Sequence, residues 1–162
     1  MKLTSLLAKH LRDVHFGGNW TSVNMKDTLA GVTWKQANTQ IYTLNTIVKL
    51  VFHIHYYIHV VSEVLSGKPF NAHDQFAFAH PPIDSEEDWH DFLEQVWTET
   101  EEFAKQIEQL PDSKLDEVFQ LEKYGTYYRN FQGIIEHTHY HLGQIMLIKK
   151  LLQAQADSES PS

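Results

Sequence analysis

"NFQGIIEHTHYHLGQIMLIKKLLQ", residues 130–153, is the stretch whose reading decides the fold. A helix turns roughly 100° per residue, so Ile134, His137, His141, Ile145, Ile148 and Leu152 share a sector of about 80°. The stretch therefore reads as a long amphipathic helix. Two of its three closely spaced histidines lie inside the apolar face. His137 and His141 are one helical turn apart, so their rings lie one above the other. His139 is turned roughly 160–200° away from them, on the side of Lys150, and is expected to face water. Residues 156–162, "ADSESPS", carry no apolar pattern and read as a polar, disordered tail.

Three more helices lie upstream. Leu3, Leu6, Leu7, His10, Leu11 and Val14 follow helical spacing, which predicts a helix over 2–14 ended by "FGGNW". A second runs from about Asn45 to Ser66 and stops at Gly67, with Pro69 just beyond. A third starts at Ser85, with Asp88 in the place of a capping-box acid, and ends at Pro111. Between them lie long connections. Residues 20–44 have helical turns near Asn24–Leu29 and Thr33–Ala37, 68–84 contain Pro81-Pro82, and 112–128 contain "YGTYY". No strand alternation and no internal repeat is visible. The expected fold is all-α: one four-helix-bundle domain over residues 1–155 with long crossover connections.

Composition narrows the function. The 162-residue chain has no cysteine, which removes disulfides, thiolate nucleophiles, iron–sulfur clusters and cysteine zinc sites. A net charge of −8 without a basic block argues against nucleic acid as a partner. The apolar run Thr46–Leu65 contains Lys49, three histidines and Glu63, which argues against a membrane span. No signal peptide is recognised in "MKLTSLLAKHLRDVHF", and the expectation is a soluble, cytoplasmic protein.

The second helix offers His53, His55 and His59. Leu50, Ile54, Tyr57, Val61, Val64 and Leu65 define its apolar face, with His53 on the edge. His55 and His59 point with Ser62 and Ser66 to the opposite side. His53, His137 and His141 are thus the inward set. A single core histidine is ordinarily satisfied by a carbonyl, and that reading stays open. An HxxxH pair plus a third inward histidine also suits zinc, nickel or ferrous iron, with manganese a further candidate. Three imidazoles leave a coordination position open, where bound water loses its proton near neutrality or a thiol is activated. Gln144 lies near the His137 side of its helix, and His10 lies on the predicted stripe of the first helix. Both are candidates to support the ligands, beside plain roles as a surface amide and a core histidine. Glu136, His73, His80, His90 and the acid-rich third helix are expected at the surface. Trp20, Trp34, Tyr124, Tyr127 and Tyr128 either line a pocket or pack.

These residues carry a resemblance. "EHTHYHLGQI" resembles the closing motif of the DinB-like (YfiT-like) superfamily, where HxxxH precedes Gly-Gln. "IVKLVFHIHYY" resembles that superfamily's second-helix motif, where an aliphatic run precedes the first ligand histidine. The likeness runs from the first helix and "GGNW" to about Leu152, and its matching positions are His53, His137 and His141. It implies an up-down-down-up four-helix bundle, a divalent metal on that triad and a homodimer. It further implies a metal-dependent hydrolase or an S-transferase acting on a small molecule. Low-molecular-weight thiols such as bacillithiol or mycothiol serve some members. Leu142 stands where many members carry arginine, so no anion-binding role is carried over. Three functions remain: an enzyme of that kind, a metal-binding protein without turnover, and a bundle whose histidines are core residues and whose role is association.

Overall fold

The computed structural model describes residues 2–159. The regular structure of those residues is helical, with one isolated bridge between Val118 and Thr126 and no strand among them. The α-helices are α1 (Leu3–Phe16), α2 (Met25–Leu29), α3 (Trp34–Asn38), α4 (Ile47–Leu65), α5 (Glu86–Gln109) and α6 (Tyr127–Glu159). None of the described helices is long and apolar enough to cross a membrane. The predicted tail is corrected in part, because α6 continues through Glu159. Residues 160–162 of that tail lie outside the described residues.

Local chemistry explains where the helices begin. Asn24, Thr33, Thr46 and Ser85 each cap the next helix, accepting from a backbone N–H three residues on. Asp88 departs from the predicted capping box by accepting from the Asp84 N–H at 3.0 Å. Lys2 gives α1 no side-chain cap. Asp112 supplies it from beyond α5, accepting from the N–H groups of Leu3 and Thr4 at 3.0 Å each. Gly17 ends α1 at φ 112, a conformation that strains any residue with a Cβ.

The four long helices pack in a ring: α1 against α5 and α6, and α4 against the same two. Side-chain registers give the directions. His59 meets Glu99 and Ser62 meets Gln106, so α4 and α5 run the same way. Phe16 packs on Trp97 while Arg12 reaches Glu101 and Glu108, so α1 opposes α5. Tyr57 lies against His137 and His53 against His141, so α4 opposes α6. Phe103, Phe131, Ile54, Ile58, Leu11 and Ile145 are fully buried between them.

The short helices tie the connections to this ring. Trp89 is 2% exposed, and its indole Nε1–H donates to the Val32 carbonyl at 2.8 Å. Trp89→Phe would keep an aromatic ring there but leave that carbonyl unpaired and the space of the pyrrole ring empty. It is expected to cost about 2 kcal/mol, read as a lower urea midpoint at unchanged slope. An unchanged midpoint would remove the indole from the account of how this connection is held.

A candidate metal centre

Packing α4 against α6 brings the three inward histidines together. His53 Nε2 lies 3.0 Å from His137 Nε2, which lies 3.0 Å from His141 Nε2. They are the one His/Asp/Glu cluster of metal-ligand geometry among the described residues. His53 and His141 are buried and His137 is half-buried. A tetrahedral ion with Zn–N bonds of ~2.05 Å sets its donors ~3.3 Å apart. Two of the pairs are close to that, and the three ligand atoms all lie within 4.8 Å of one another, so the widest pair would draw together around an ion.

The outer contacts decide the protonation. A carbonyl only accepts, so the 3.1 Å contact of His53 Nδ1 with the Ala77 carbonyl places the proton on Nδ1. His53 Nε2 is then a bare lone pair. His141 Nδ1 lies 2.6 Å from Gln144 Oε1, and donation to that oxygen makes the His141 Nε2 bare as well. Both face the same atom, His137 Nε2. In the protein alone a single N–H on His137 must serve two acceptors. A cation in its place would accept all three lone pairs. Ligand histidines are ordinarily oriented in this way, with the distal N–H donated to a carbonyl or amide.

Electrostatics point the same way. Burial pushes the pKa of His53 and His141 down, and pushes His137 down to about 4, assisted there by His141 and His53. All three imidazoles are neutral at pH 7, as nitrogen ligands must be. Around them, Phe78 stacks on His53 with ring centroids 3.9 Å apart, and Tyr57 sits edge-on to both His53 and His137. A cavity of about 800 Å³ opens at His137, lined among others by Tyr57, Val61, Phe70, Asp74, Tyr124 and Arg129.

Gln144 therefore touches His141, as its position on α6 suggested. Gln144→Leu is expected to weaken metal binding by about 10–100-fold, measured by competition with a chelator. Unchanged affinity would show that the amide does not orient the ligand.

Other expectations need correction. His10 is exposed and does not reach the triad. The buried stripe of α1 is Thr4, Leu7, Ala8, Leu11, Val14 and His15, centred near Leu11, while Leu3 and Leu6 are 43% and 37% exposed. His10 lies about 100° from that centre. Its neighbour is His139, which is half-buried rather than fully solvated. His55 was placed on the polar side of its helix but is 5% exposed, between α4 and α5. Of the five aromatics in the connections, Tyr124 alone lines the cavity at the triad. Trp20 is 97% exposed and Tyr128 42% exposed. His73 is exposed and His90 is exposed, as expected, while His80 is half-buried against Phe52. The reading missed Ala77 and Phe78, which the loop after α4 folds over His53, and the buried His15. No family model, no curated protein and no solved structure matches this chain.

Proposed function

We propose that this chain is a divalent-metal protein of the DinB-like kind, a hydrolase or thiol S-transferase acting on a small molecule. The observation that carries the proposal is the meeting of the His53 and His141 Nε2 atoms at the third imidazole of His137, each ring having its Nδ1 against an oxygen acceptor. Three nitrogen donors favour zinc or nickel, with iron and manganese as weaker fits. Bound there, the cation supplies Lewis acidity to whatever fills its remaining positions.

The residues of the chain supply the rest. Ala77 and Gln144 hold two ligand rings in one tautomer. Phe78 covers His53 and keeps water from that side. The cavity at His137 offers apolar wall from Val61 and Phe70 and polar groups from Asp74 and Arg129, enough room for a drug-sized molecule. A buffering or sensing protein has no need of such a cavity, which favours turnover over storage. The helix registers support the up-down-down-up order that the resemblance implies, and a homodimer belongs to the same proposal.

The test is activity of the metal-loaded, untagged protein on two panels. One holds small esters and amides; the other pairs low-molecular-weight thiols with an electrophile such as monochlorobimane. Turnover by the wild type that vanishes in His53→Ala is the expected result. Metal retention with no turnover on either panel would overturn the enzymatic part and leave a binding protein.

A further inference from the structure

A second cluster of ligand-type side chains lies on the opposite side of α4 from the triad. His55 and His59 are one turn apart on α4, and Glu99 reaches them from the parallel helix α5. Glu99 Oε2 lies 3.0 Å from His55 Nε2 and 3.0 Å from His59 Nδ1. The other carboxylate oxygen, Oε1, accepts from Gln95 Nε2 at 2.7 Å. Gln95 therefore fixes the carboxylate with its free oxygen turned toward both imidazoles.

Ion pairing alone explains this poorly. His55 is 5% exposed, and neither of its ring nitrogens has a hydrogen-bond partner. The 3.0 Å approach to Glu99 is close enough but badly angled for an N–H donor. A buried nitrogen left unsatisfied in this way ordinarily costs stability. The off-axis approach does suit a shared cation. Two donors ~3.0 Å apart that both bind an ion at ~2.1 Å each direct their lone pairs ~45° off the line joining them. A hydrogen bond wants that angle near zero. As placed the three donors do not converge as those of the triad do, with the His55 and His59 rings 6.5 Å apart. His59 is the adjustable member, its side chain 52% exposed, and turns from its 3.0 Å contact with Glu99 toward His55 to complete the set.

We infer that His55, His59 and Glu99 form a second divalent-metal site, a two-histidine, one-carboxylate set that clips α4 to α5. An N2O set with positions left for water suits zinc, nickel, copper(II) or ferrous iron. It is independent of the triad, because it uses none of the same side chains. Its effect on the triad is positional. His55 is two residues from His53 on α4, so a clip there fixes the helix that carries the first ligand.

The experiment is titration of untagged, EDTA-stripped protein with cobalt(II) alone, followed by visible absorption and by equilibrium dialysis. The wild type is expected to take up two equivalents. His53→Ala should keep one. His59→Ala and the near-isosteric Glu99→Gln should also keep one, with second-site affinity more than ~100-fold lower, beyond what an outer-shell change produces. Circular dichroism identifies any variant that fails to fold, and Glu99→Gln provides the readout if His59→Ala does. A wild-type uptake of one equivalent, unchanged in His59→Ala and Glu99→Gln, would overturn the inference. One equivalent lost in His59→Ala but kept in His53→Ala would support this site and overturn the triad instead.

Discussion

His137→Ala is expected to lose the divalent metal held with His53 and His141, while His139→Ala keeps it. The two residues stand two apart in "HTHYH" and look alike in sequence. The structure separates them by half a turn of α6. His137 Nε2 lies 3.0 Å from the Nε2 of both His53 and His141, so its removal takes away the donor at the centre of the set. His139 faces His10 on α1, away from every ligand. Loss of an outer-shell partner costs about 10–100-fold in metal affinity, and loss of a ligand should cost more than that. Two neutral imidazoles hold zinc too weakly to survive dialysis against a chelator. Metal content by mass spectrometry, on protein that never carried a histidine tag, gives the result. Wild type and His139→Ala are expected to hold one equivalent of metal more than His137→Ala or His53→Ala. Equal metal in all four would place the ion elsewhere in the chain.

This contrast also shows what periodicity can and cannot reveal. On α6 one apolar stripe is well defined, so turning the helix onto its core chose His137 and His141 and rejected His139. His53 emerged in the same way from the face of Leu50, Ile54 and Val61. On α4 the same method failed for His55, because that helix is buried nearly all round. Val48, Val51, His55 and Ile58 form a second stripe at helical spacing, and it packs on α5. That pattern was present in the sequence but was masked by the stronger stripe about 110° round the helix. His10 failed for the reverse reason: Leu3 and Leu6 were counted into a stripe that leaves both partly in solvent. Ala77 and Phe78 lie in a connection with no period at all. Their places over His53 are set by tertiary contact, by the ring stack and by a backbone carbonyl that any residue would supply.

Acidification is expected to destabilise the metal-free protein through His15, a residue that no motif marks. His15 is fully buried, and its Nδ1–H donates to the Leu11 carbonyl at 2.8 Å, while Nε2 has no partner. Burial lowers its pKa from 6.5 to about 4; the Leu11 carbonyl raises it, and His55 and His139 lower it further. The folded chain therefore refuses a proton that the unfolded chain accepts. Below the unfolded pKa of 6.5 the unfolded state gains protons first, so stability is full above that pH and falls as pH drops toward about 4. The loss amounts to about 2 kcal/mol by pH 5 and about 3 kcal/mol by pH 4. His53, His137 and His141 also resist protonation in the fold and add to the same slope. His15→Leu isolates the one contribution. Leucine removes the orphaned nitrogen, and the Leu11 carbonyl keeps a backbone donor from residue 15 within α1. At pH 7 the variant should be as stable as the wild type or slightly more so. Urea unfolding in EDTA from pH 7.5 to 5 measures the difference between the two proteins. That difference should widen in favour of the variant by about 2 kcal/mol as the pH falls to 5. Parallel curves across the whole range would mean that His15 takes up its proton in the folded state, which its burial against α4 and α6 forbids unless this end of the bundle opens.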